Sequence, residues 1–198
     1  MTKLNKDLLV DLYINNKRSV SWIANRHDCS ENKINYWLRA HGIQKRTISE
    51  AIYQHKNPNG DPFSVRLPKN TEEGILWGMG VGLYWGEGAK RGSGGLRITN
   101  TDPELIKTFV KFLVSFFLID KKKLRYSIQI FDDISPQKAL RYWMDQLGVD
   151  KKQFYKTIVS KSRGEGTYRY KSEHGVVVLY FNNVKLKRVM CELIEKKR

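Results

Sequence analysis

The sequence predicts an α+β chain in two parts: a small three-helix domain at the N-terminus, then a larger domain in which helices cover one face of a mixed or antiparallel sheet. Three observations predict it. Apolar residues recur at helical spacing over residues 4–42, whereas beyond residue 72 strictly alternating segments are interleaved with helix-period ones. Between these regions lies NPNGDPF, a turn-rich stretch whose Pro and Gly density marks a linker. The expected boundaries are a helical domain at 1–56, a linker at 57–71 and an α/β domain at 72–198.

Three apolar sets define the first domain: Leu8, Leu9, Leu12 and Tyr13, then Val20, Trp22, Ile23 and Ala24, then Ile34, Trp37 and Leu38. The second and third helices are joined by the short RHDCS segment, with Ser30 as N-cap, Glu31 and Asn32 in the first turn and Gly42 as the stop. This is the pattern of a helix-turn-helix, whose later helix enters the major groove of DNA. Asn32, Lys33, Asn35, Tyr36 and Arg39 are then its outward side chains, with Lys45 and Arg46 just beyond. Asn and Arg can bond base edges bidentately, while Lys and Tyr more often hold phosphates. A plain three-helix cap with a solvated polar face is the alternative. TISEAIYQHK, at 47–56, adds a short helix before the linker.

Lys and Arg number 36 against 20 Asp and Glu, giving a net charge of +16. The excess is present on both sides of the linker, so both parts are expected to face a polyanion, with nucleic acid first among candidates. Two distant cysteines, Cys29 and Cys191, imply no disulfide framework and favour a reducing compartment. His27, Cys29 and His41 lack the paired spacing of a zinc site and read as structural. The N-terminus has no apolar signal core, and no apolar run reaches the roughly 20 residues of a membrane span. A cytoplasmic protein without membrane attachment is expected.

Between Gly74 and Gly88 the chain reads GILWGMGVGLYWGEG, an apolar helix with six glycines that closes on an isolated carboxylate, Glu87. A glycine inside a helix costs about 1 kcal/mol relative to alanine, so close backbone approach is the expected reason for them. Gly78, Gly82 and Gly86 recur at i, i+4 and i+8, a flat stripe for a second helix, with Val81 and Trp85 flanking it. Leu76, Met79 and Leu83 are expected to point inward. A core helix without a partner is the competing reading. A dinucleotide or P-loop reading of the glycines is poor, since no GxGxxG or GKS/GKT occurs and no clear strand precedes them.

The elements beyond follow in order. GLRITN alternates, with Leu96 and Ile98 inward and Arg97 and Thr99 outward; TDPE opens a helix carrying Leu105, Ile106, Phe109, Phe112, Leu113 and Phe116 inward. LRYSIQIF alternates again, placing Arg125, Ser127 and Gln129 outward. A helix at 135–147, strands in FYKTIVSK and GVVVLYF, and a helix at 183–196 complete the domain. The polar face of Arg97, Thr99, Arg125, Ser127 and Gln129 fits a DNA groove, or is an ordinary solvent face of the sheet.

GVGLYWGEG at 80–88 resembles a divergent LAGLIDADG motif, with Gly82 and Gly88 at its glycine positions, Gly86 at its small packing position and Glu87 at its acid. The strand, NTDPELI, helix and strands that follow are similar to the subgroup found in inteins and free-standing homing endonucleases, over roughly residues 72–196. The resemblance implies a saddle-shaped sheet on double-stranded DNA, a homodimer formed through Gly78, Gly82, Trp85 and Gly86, and phosphodiester hydrolysis with Mg²⁺ or a similar ion. Glu87 then corresponds to a metal ligand, Gln129 to a residue that orients water, and Lys161 or Lys171 to a basic catalytic residue. Trp85 stands where the family has a further acid. The helix-turn-helix together with this domain also resembles the WhiA-type regulators, which keep the fold without cutting. The expected function is thus a site-specific DNA endonuclease (a hydrolase), with a non-cutting DNA-binding transcription regulator as the alternative.

Overall fold

Short polar side chains start the helices of the N-terminal region in the computed structural model, which describes residues 4–161 and 172–195. Asn5, Ser19, Ser30 and Thr47 accept from backbone N–H groups three residues on and open α1 (Lys6–Leu9), α2 (Val20–Arg26), α3 (Glu31–Ala40) and α4 (Ile48–Lys56). α1 runs on as a π-helical turn at Val10–Asn15. Asp28 takes a left-handed conformation (φ 46°) in the turn between α2 and α3, and Gly42 (φ 68°) follows the end of α3, where a side chain would be strained. These elements lie in one compact unit, residues 1–62, around Leu9, Tyr13, Ile23, Ile34 and Leu38.

Trp22 differs from its expected place in that core. It is exposed, with the Arg18 guanidinium 4.7 Å from its ring centre, because Ile23 and Ala24 take the inward positions of this short helix. α4 forms where expected, closed by a reciprocal Thr47–Glu50 capping box, but buries none of its residues.

The second unit, residues 63–198, begins inside the stretch that composition marks as linker. Its helices are α5 (Thr71–Glu87), α6 (Pro103–Phe117), α7 (Pro136–Leu147) and α8 (Val184–Glu195). Ser64 and Arg66 donate backbone hydrogen bonds to the Phe117 and Phe116 carbonyls, which ties this entry segment to the end of α6. The strands are β1 (Leu96–Asn100), β2 (Arg125–Phe131), β3 (Ile158–Ser160) and β4 (Val176–Phe181), in the order β1-β4-β2-β3. β4 is antiparallel to both neighbours and β3 is parallel to β2, so the sheet is mixed.

Alternation decides what each strand contributes. Leu96, Ile98, Tyr126, Ile128, Val177 and Leu179 point into one core with Phe109, Phe112 and Phe116 of α6, Trp143 of α7, and Leu186 and Met190 of α8. Burial there pushes the Tyr126 phenol up to about 12. The chain is therefore an α+β protein, with helices α5–α8 packed with the inward strand residues and the alternate residues left on the other face. Among the described residues no helix is long and apolar enough to cross a membrane.

Candidate nucleic-acid interface

Two close approaches fix the register of the glycine helix. A Cβ on Gly80 would fall within the Phe112 ring of α6, and one on Gly88 would overlap the carbonyl and ring of Tyr84. The row that includes Gly80, Val81, Tyr84 and Gly88 therefore faces inward. Gly74, Gly78, Gly82 and Gly86 face outward, with no atom within 4 Å of where a Cβ would sit. Leu76 and Leu83 pack against the core as expected, but two residues exchange places: Val81 is buried, and Met79 is exposed, as are Ile75 and Trp85. Gly80, Tyr84 and Gly88 together set the inward direction, and at 3.6 residues per turn Val81 lies about 60° from its midline and Met79 about 140°, so Val81 turns in and Met79 out.

The end of α5 is built to expose its acid. Glu87 is the last helical residue, and Gly88 turns to an extended conformation (φ −76°, ψ 140°). Gly88 then bridges Ile98, and Ala89 donates to the Arg97 carbonyl at 3.0 Å, so the chain joins the sheet beside β1. Glu87 is left exposed at that edge. The Lys90 ammonium donates to the Trp85 carbonyl, where a cation complements the helix C-terminus. Tyr84 donates its hydroxyl to the Ala89 carbonyl at 3.2 Å, and burial holds its phenol well above the ordinary tyrosine range.

One buried cation, Lys187 of α8, secures the turn that follows. Its ammonium donates to the Arg91 and Gly92 carbonyls at 2.9 and 2.6 Å. Gly95 lies so close to the backbone of residues 181–183 that a Cβ would overlap it. The segment between Glu87 and β1 is thus held at both ends.

Cross-strand register assembles the outward sheet face. Arg97 and Arg125 stand on either side of Tyr180 in one row, Thr99 and Ser127 on either side of Val178 in the next, and Gln129 opposite Val176 in a third. Arg97 and Gln129 are exposed, and Arg125 is half-buried. Ser127, expected to reach a ligand, is buried at 3 % exposure. Beside this face Tyr155 donates its N–H to the Tyr126 carbonyl on the side of β2 away from β4. Its ring nevertheless meets Tyr180 of β4, and its hydroxyl accepts from Asn182, so it spans the outward face of β2. Sequence reasoning missed Tyr155, Tyr180 and Lys187; the alternation in VVVLYF was the available signal for Tyr180.

The catalytic candidates are not gathered within one chain. Strands lie about 4.8 Å apart, so Gln129 on β2 and Lys161 after β3 stand two and three strands, roughly 10 and 14 Å, from the β1 edge beside Glu87. Lys171 lies outside the described residues. Among the described residues no three His, Cys, Asp or Glu side chains could hold a metal ion. Mg²⁺ accepts one or two carboxylates and several waters, so Glu87 fits as a donor, and a paired site calls for a second copy of it.

In the first unit, Asn32, Tyr36 and Arg39 form an exposed stripe at i, i+4 and i+7 of α3, on the face away from buried Ile34 and Leu38. Lys45 is exposed as well, and Lys33 is half-buried. Asn35 is half-buried too, with its side-chain oxygen enclosed and unbonded. Arg46, read as a DNA contact, is instead an internal tie. Its guanidinium lies 4.1 Å from the Tyr13 ring centre and donates to the Lys17 and Arg18 carbonyls and to Gln54. A planar fork with five donors suits that task, since it joins three segments at once.

No family model, curated protein or solved structure matches the chain.

Proposed function

We propose that this chain is a DNA-binding protein that pairs through α5 and cuts double-stranded DNA at a specific site. The observation that carries the reading is the position of Glu87, exposed as the last residue of α5 where the chain joins the β1 edge, on a helix with an open glycine face and beside a sheet whose outward side bears Arg97, Tyr180, Arg125 and Gln129. The resemblance of GVGLYWGEG to a LAGLIDADG motif supports the same assignment.

In this reading Gly78, Gly82 and Gly86 let a second α5 approach closely, with Trp85 and Met79 covering the seam. Glu87 from each of two chains would hold a divalent cation, and the chemistry such an ion would supply there is activation of water and stabilisation of the leaving oxygen of a phosphodiester. Arg97 and Gln129 reach base edges, Arg125 and Thr99 contact backbone or base, and the stripe of Asn32, Tyr36 and Arg39 supplies a second contact. Lys161 and Lys171 are the basic residues proposed for the reaction.

A second reading, a non-cutting transcription regulator on the same fold, is favoured by the single carboxylate per chain and by Trp85 at the motif's other acid position. Selection of a binding site from random duplexes, followed by incubation with Mg²⁺, decides between them. Cleavage by the wild type that is lost in Glu87→Gln, with binding retained, supports the nuclease. Equal binding by both proteins with no cleavage leaves the regulator.

A further inference from the structure

Two short 3-10 turns in the second unit, Lys121–Lys123 and Lys151–Gln153, are each opened by an aspartate. Asp120 accepts from the Lys122 N–H at 2.9 Å, and its carbonyl accepts from Lys123. One turn leads into β2, and the other into the Phe154 line that pairs parallel with β2, so both lie at the same end of the sheet. Gln153 joins them, its amide donating to the Lys121 and Leu124 carbonyls at 3.0 and 3.3 Å. Five exposed lysine side chains are thereby brought together at that end, and among the described residues Asp150 alone pairs with one of them, Lys152, at 3.3 Å.

Such crowding is unfavourable by itself, since like charges repel, and a bound polyanion is what would offset it. The ridge is also continuous with the outward face. Arg125, the first residue of β2, donates to the Lys122 carbonyl at 2.7 Å and the Leu124 carbonyl at 2.8 Å, and it stands in the row with Tyr180 and Arg97.

We infer that this lysine ridge is a phosphate clamp for the DNA backbone, lying outboard of the base-contacting face; the inference rests on the DNA-binding reading. Lysine acts as a point charge on a flexible stem, which suits phosphates rather than base edges. The ridge precedes β2 and β3, the third and fourth strands from the β1 edge, so it sits roughly 10–14 Å away from the side on which α5 pairs. It lengthens the DNA footprint without adding sequence preference.

The test is the salt dependence of binding by the triple variant Lys121→Gln, Lys123→Gln, Lys151→Gln, beside the corresponding Lys→Arg variant. Each phosphate neutralised contributes about 0.9 to the slope of log K against log salt. The Gln variant is expected to lower the slope by about 2–3 and to weaken selected and scrambled duplexes by the same factor, while the Arg variant keeps the wild-type slope. A Gln variant that binds DNA with the wild-type slope overturns the clamp and leaves DNA binding standing. Loss of adhesion to phosphatidylserine vesicles with unchanged DNA binding also overturns it, in favour of a membrane surface. A wild-type chain that binds no duplex at all overturns the DNA-binding reading itself, and the clamp with it.

Discussion

Gly80 of α5 lies directly beneath the Phe112 ring of α6, and a methyl group at position 80 would occupy the space of that ring. The outward glycines meet nothing within the chain, so glycines of one helix serve two different purposes.

Gly80→Ala is expected to destabilise the protein by about 1–3 kcal/mol, because Phe112 is fully buried and packed against the rings of Trp77, Phe109, Phe116 and Phe117. Gly82→Ala removes a helix-breaking residue from an open face and raises monomer stability by up to about 1 kcal/mol. Chemical denaturation checks both values. In sedimentation, Gly82→Ala weakens the proposed dimer, and a wild-type protein that stays monomeric at micromolar concentration with and without DNA would sink the pairing.

Arg46→Ala removes a guanidinium that ties two carbonyls, Gln54 and the face of Tyr13, at a cost of about 2 kcal/mol. Amide exchange in the π-helical turn at Val10–Asn15 and in α4 should accelerate together. A variant that loses DNA affinity with unchanged exchange would return Arg46 to the role of a direct contact.

Glu73 is held below its ordinary value of 4.5, first by the hydrogen bond from Arg66 and then by the Lys69 N–H. A carboxyl depressed in the folded state adds stability above its unfolded value, and that contribution is lost as pH falls through the folded value. Wild type is therefore expected to lose stability below about pH 4.5 more steeply than Glu73→Gln, as read from melting temperature between pH 3 and 7.

Lys187→Met keeps the length of the side chain but leaves the Arg91 and Gly92 carbonyls without their donor, a loss of about 1–3 kcal/mol. Faster amide exchange over residues 89–95, with α6 unaffected, is the expected signature. The same variant should lower cleavage more than binding if the turn after Glu87 matters to the reaction.

Local patterns made much of the second unit legible. Strict alternation in LRITN and LRYSIQIF specified which side chains enter the core, and the TDPE start and the apolar stripe of α6 specified a helix that is found at Pro103–Phe117. These signals need no partner element, since strand and helix periods are properties of the backbone. The registers of α2 and α5 were less legible. Trp22 and Met79 are apolar and were assigned inward, but which apolar residue is buried depends on the neighbouring helix.

The candidate interface divides in the same way. The sequence by itself determined the basic charge, the glycine spacing, the terminal Glu87 and the outward placement of Arg97, Arg125 and Gln129, because each follows from composition or from a local period. Only the tertiary structure decided that Arg46 is consumed internally, that Tyr155 reaches across β2 to Tyr180, that Lys187 grips the turn after Glu87, and that two lysine turns meet at one end of the sheet. Those outcomes depend on contacts between segments about 25 to 100 residues apart: Arg46 meets its partners when the helices of the first unit pack, and Tyr155, Gln153 and Lys187 meet theirs when the strands of the second unit pair and α8 closes over the core.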